Sequence, residues 1–134
     1  MADLRTRQAS ALDPKNGYAV LWVDIVGQRN NIPSRLMQAS SQVDMTKWPA
    51  PVIRLFKGQT TSGAVMAAAD DPDPNKKKSQ VCEANFYAGE LSLSKGSKDE
   101  AIPLFRLAAN GCPHGFIEWT AANDELKALG AAAP

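Results

Sequence analysis

The chain has 134 residues and a mass of 14.4 kDa, enough for one core to remove about two-thirds of the extended chain's surface from water without metal or staples. Hydrophobic residues make up 44% and charged residues 22% of it, ordinary globular usage that excludes an intrinsically disordered polymer. With 15 Lys and Arg against 14 Asp and Glu the net charge is +1, so charge gives no reason to expect nucleic acid or an anionic membrane as partner; no apolar run approaches the ~20 residues of a spanning helix, and the opening MADLRTRQAS lacks the apolar stretch of a secretory signal.

Ala2, Thr6, Ala9 and Leu12 recur at helical spacing up to Pro14. Tyr18 to Gln28 reads as a helix, very apolar through Val20, Leu21, Val23, Ile25 and Val26, and ended by Asn30 and Asn31. Pro33 is placed in the first turn of the next helix, which carries Leu36, Met37, Ala39 and Ser40. Trp48-Pro49-Ala50-Pro51 is a break. Val52, Ile53, Leu55 and Phe56 form a short helix ended by Gly58, and Ala64 to Ala69 another. Residues 70–78, DDPDPNKKK, combine two prolines with a run of each charge and read as a solvated loop rather than an interaction tail or cleavage site. Ser79 then caps a helix carrying Phe86, Gly89, Glu90 and Leu93 that Gly96 ends. Asp99 and Glu100 open the following helix, where the dipole favours anions. Ala101, Ile102, Phe105, Ala108 and Ala109 continue it until Gly111 and Pro113. A last helix runs over 116–129, with Trp119, Ala122, Leu126 and Leu129 on one stripe. Nothing has strand character, and no Asn-Gly or Asp-Gly turn separates alternating runs. The expectation is an all-α chain of seven or eight helices.

Within 79–113 the spacing is specific. Gly89 is followed by Ala101 after twelve residues, Phe105 after four more, Ala108 after three and Pro113 after five. This resembles the tetratricopeptide repeat (TPR), a pair of antiparallel helices that stacks on neighbours like it. In that pattern Gly89 and Ala101 are small because the helices approach closely, Phe105 fills the gap between hairpins, and Pro113 ends the second helix. The resemblance implies a single TPR-like helical-repeat domain over 1–134. Residues 1–14 are its incomplete opening repeat, 17–69 two degenerate repeats, 70–78 a loop, 79–113 the best-formed repeat and 115–130 a capping helix. A half-repeat cannot bury its apolar face alone, so self-association or a longer parent chain is expected.

The segments DPKNGYAVLW, TKWPAPVIRLFKGQ and CEANFYAGELSLSKGSKDEAIPLFRLAANGCPHGFIEW, in this order, resemble the C-terminal half of the NlpI-type bacterial outer-membrane lipoproteins. The resemblance implies a dimeric helical scaffold that docks periplasmic proteases and cell-wall hydrolases and is not itself an enzyme. The lipid-attachment cysteine and signal peptide of that family are missing here, so membrane attachment would need an anchor absent from this chain. A cytoplasmic TPR module assembling another complex is the alternative.

The hairpin implied by the repeat sets the start of its first helix beside the end of its second, which brings Cys82 and Cys112 near each other. A disulfide, with the oxidising compartment it implies, and a pair of buried thiols both fit. His114 has no second Cys/His pair with which to complete a metal set and reads as an exposed loop residue. Asp99 and Glu100 point about 100° apart and do not converge on one atom. Lys76, Lys77 and Lys78 lack the interleaved aromatics of nucleic-acid recognition. Trp22, Trp48 and Trp119 read as packing. No cofactor, metal or catalytic residue is expected.

Protein binding remains. In TPR arrays the first helix of each hairpin lines the concave face, which here would show Glu83, Phe86, Glu90 and Leu93, and in the earlier repeat Tyr18, Gln28 and Arg29. Phe86 and Glu90 stand where a carboxylate clamp would need a cation and an amide. The expected face is therefore an apolar groove with acidic edges, suited to an amphipathic helix or apolar peptide. Leu21 and Ile25, on the same stripe, read as packed against the neighbouring helix.

Overall fold

A computed structural model describes residues 15–131; the incomplete repeat expected at 1–14 lies outside the described residues. Every regular element among these is a helix. The chain divides into two compact units, the first ending at Thr61 and the second opening at Ser62. The division falls inside the stretch 17–69 that the repeat spacing assigns to two units of one array.

In the first unit, α1 spans Gly17–Arg29, α2 spans Leu36–Ala39 and runs on into a 3₁₀ turn at Ser40–Gln42, and α3 spans Ala50–Phe56. Asn16 starts α1: its Oδ1 accepts from the backbone N–H of Tyr18 at 3.0 Å and of Ala19 at 3.3 Å, satisfying two donors the helix leaves orphaned. Ala19, Val20, Leu21, Trp22 and Ile25 are buried. The N-terminus of α1 meets α3 where Gly17 faces Pro49 and Ile53; a Cβ there would sit 3.1 Å from the proline ring.

The C-terminus of α1 explains the chain that follows. Asn31 adopts φ 58°. Its N–H donates to the Gln28 carbonyl at 3.1 Å, and the Ile32 N–H to the Gly27 carbonyl at 2.8 Å, the paired bonds of a Schellman cap. Asparagine tolerates the left-handed region; a β-branched residue does not. Asn31→Val is therefore expected to cost about 1–2 kcal/mol and Asn31→Gly close to nothing, as urea denaturation of the two variants will report. Pro33, expected in the first helical turn, lies ahead of it. The cap carries the chain past the proline, and Ser34 Oγ then accepts from the Leu36 N–H at 3.3 Å, so the helix begins three residues later.

In the second unit, α4 spans Ser62–Ala68, α5 Pro74–Ser94, α6 Lys98–Gly111 and α7 Ile117–Ala128. The loop expected at 70–78 is a correction: it shrinks to 70–73. Asp73 Oδ1 accepts from the Asn75 N–H at 2.9 Å, Pro74 takes the first helical position, where its missing donor costs nothing, and Lys76 to Lys78 are good helix formers. Their charges occupy exposed first turns of α5, and Ser79, the expected cap, lies inside the helix. At the other end Gly96, φ 79°, holds the left-handed position of a second Schellman cap, with the Ser97 N–H on the Ser92 carbonyl at 2.9 Å.

α5 and α6 pack antiparallel. Cys82 and Cys112 are joined by a disulfide, their Cα atoms 5.0 Å apart, and half-way along the pair the Phe105 ring lies over Gly89. α7 packs on both helices: Trp119 Nε1 donates to the Ala109 carbonyl at 3.1 Å, and the Tyr87 hydroxyl donates to Glu118 Oε2 at 2.7 Å. Tyr87 and Glu118 are both buried, so Tyr87→Phe strands an acceptor out of water. A loss of about 2 kcal/mol is expected for it in denaturant melts, and less for Glu118→Gln, which keeps an acceptor for the hydroxyl.

Candidate functional site

Of the α5 side chains expected to line a concave face, three are buried. Glu83 is 5% exposed, Phe86 0% and Glu90 5%, which corrects their expected role as a docking face. The reason lies in the position of α5. It is surrounded by α4, α6 and α7, so its residues are buried without interruption from Cys82 to Tyr87 rather than along one stripe. Phe86 stands edge-on to Tyr87, ring centroids 5.0 Å apart, and 6.0 Å from Phe105. It belongs to the hairpin core. Leu93 is half-buried at the end of α5.

The first-unit residues fare differently. Tyr18 and Gln28 are half-buried and Arg29 is exposed. Leu21 and Ile25 are buried in the core. Gln28 Nε2 donates to Asp24 Oδ2 at 2.8 Å, while Ser34 Oγ donates to Asp24 Oδ1 at 2.6 Å. Both carboxylate oxygens of this buried aspartate are thereby occupied, which tethers the α1–α2 connection to the flank of α1.

A groove of about 540 Å³ lies between α1 and the segment from Ile32 to Ala39. Val20, Val23, Val26, Ile32, Pro33 and Leu36 give it apolar walls, and Arg35 also lines it. Val23 is 45% exposed, Ile32 54% and the neighbouring Met37 64%. Such volume and apolar lining with few polar groups are the usual marks of a binding cleft. A signal for it is present in the sequence: Val20, Val23 and Val26 lie three apart, on a stripe separate from the Leu21–Ile25 stripe that faces the core. A helix apolar on two stripes has one to spare for something other than its own core.

The remaining candidates are structural. His114, read as a bare loop residue, is exposed but stacks on Trp119, ring centroids 4.3 Å apart and planes 28° apart. Asp44 accepts from the backbone N–H and the hydroxyl of Thr46. These bonds favour the charged form and hold its carboxyl below the usual carboxylate range; the group is a solvent-facing turn lock. Among the described residues no group of three or more His, Cys, Asp and Glu is placed to hold a metal ion, and no helix is long and apolar enough to cross a membrane. No known family model matches the chain, and no solved structure matches it significantly.

Proposed function

We propose that the chain is a non-enzymatic protein-binding adaptor built from TPR-type helical hairpins. The observation that carries this reading is the interlock of α5 and α6. Gly89 admits the Phe105 ring, Ala101 and Ala108 are fully buried at the seam, and α7 packs on the hairpin as the first helix of a following repeat would. These are the small and aromatic positions that give the repeat its spacing. An array of this kind offers surface rather than chemistry, and its work is to hold other proteins.

The Cys82–Cys112 bond favours the cell envelope over the cytoplasm, since such bonds persist in oxidising compartments. With the resemblance to NlpI-type lipoproteins, this makes periplasmic proteases and peptidoglycan hydrolases the partners to test first, with the chain acting as a homodimer or as part of a longer protein. The test is direct binding of the purified chain to members of both enzyme classes by biolayer interferometry, alongside alkylation of thiols in intact cells. Binding to either class together with unalkylated cysteines is expected. Freely alkylated thiols in the native compartment would favour the cytoplasmic module. Turnover by the chain alone would overturn the adaptor reading.

A further inference from the structure

Over residues 15–61 the chain carries six Lys and Arg against two Asp and no Glu. Of the two carboxylates, Asp44 lies outside the α1–α2 groove, and Asp24 lines it with both oxygens already accepting, from Ser34 and Gln28. Arg35 also lines the groove, is exposed, and makes no ion pair among the described residues. An occupant therefore meets apolar walls, a carboxylate whose two oxygens already accept hydrogen bonds, and a guanidinium without an ion pair among the described residues, in a basic field. Such a site rewards an apolar body with a carboxylate at its edge, because guanidinium and carboxylate pair through two parallel hydrogen bonds. The walls follow α1 from Val20 to Asn30, about 15 Å at helical rise. That length accommodates a helix with anchors at i, i+3 or i+4, and i+7.

Resting on the protein-binding reading above, we infer that this groove receives an acidic amphipathic helix of a partner protein, its apolar face against Val23, Ile32 and Leu36 and an Asp or Glu on Arg35. The positive field of the unit steers such a helix in and repels a basic one.

The test uses the full chain and two synthetic helical peptides with the same leucine face, one flanked by glutamates and one by lysines, followed by fluorescence anisotropy. The glutamate peptide is expected to bind about tenfold more tightly or better at low salt, with the preference shrinking as salt rises. Arg35→Glu is expected to reverse the preference. Val23→Asp is expected to abolish binding of both peptides while leaving the melting temperature unchanged, because Val23 is exposed. Equal binding of the two peptides, a preference for lysine, or no binding overturns the inference. So does a saturated fatty acid that binds where neither peptide does, or a dimer that Val23→Asp dissolves, since each gives the groove to another occupant. If proteases or hydrolases bind the Val23→Asp chain as well as the unaltered one, this inference falls and the adaptor reading stands. If the unaltered chain binds neither enzyme class, the adaptor reading itself falls.

Discussion

Reduction of the Cys82–Cys112 bond is expected to lower the unfolding free energy by about 3.5 kcal/mol. The bond closes a loop of sequence separation 30, and the chain-entropy relation gives that figure for the freedom the unfolded chain regains. Small domains are stable by only about 5–15 kcal/mol, so the change is a large share of the whole. The folded state loses little in comparison. Cys82 is 1% exposed and Cys112 3%, and free thiols at these positions remain small hydrophobes in the same packing. Urea melts with and without reductant separate the two contributions. The midpoint falls, and the slope rises because the unfolded chain without its cross-link exposes more surface. Replacing both cysteines by alanine adds a cavity cost to the same entropic loss, so the double variant is expected to melt below the reduced protein. Identical midpoints with and without reductant would mean that the bond does not form.

What the sequence revealed and what it hid divide along physical lines. The ends of helices set by short-range chemistry were legible: Asn30-Asn31 and Gly96 stop α1 and α5 because the left-handed residue and its two backbone bonds are local. The hairpin was legible too, since Gly89, Ala101 and Phe105 carry its packing in their sizes. The start of α5 was not. Prolines and a charge run suggested a loop, whereas Pro74 at a helix's first position and lysines after it are compatible with either state, and Asp73 as cap decided between them. The face of α5 was hidden for a different reason. Burial of Glu83 and Glu90 depends on how many helices surround α5, which no periodicity within α5 encodes. The groove was half legible: the valine stripe of α1 is in the sequence, but the wall opposite it, from Ile32 to Ala39, is placed by the path of the chain after the α1 cap.

The Gly89 position tests the interlock on which the adaptor reading stands. A Cβ built there would lie 2.8 Å and 2.9 Å from two carbons of the Phe105 ring and 3.2 Å from a third. The ring cannot retreat cheaply: it is 0% exposed, with Phe86 packed on it at 6.0 Å between centroids. Alanine gains about 1 kcal/mol of helix propensity over glycine, yet the contact is closer than packed side chains tolerate, and overpacking costs about 1–3 kcal/mol. Gly89→Ala is therefore expected to destabilise by about 1 kcal/mol net, and Gly89→Leu by about 3 kcal/mol or more. Gly111 supplies the internal control. It sits in the same hairpin, but a Cβ there meets only Cys82 at an ordinary 3.8 Å, so Gly111→Ala is expected to stabilise by about 0.5 kcal/mol. The decisive measurement is a double-mutant cycle. In a Phe105→Leu background the ring is gone, and Gly89→Ala should change sign and stabilise, giving a coupling energy of about 1–2 kcal/mol between the two positions. Additive effects would mean that Gly89 is small for some other reason, and the proposed adaptor reading would lose the contact it rests on.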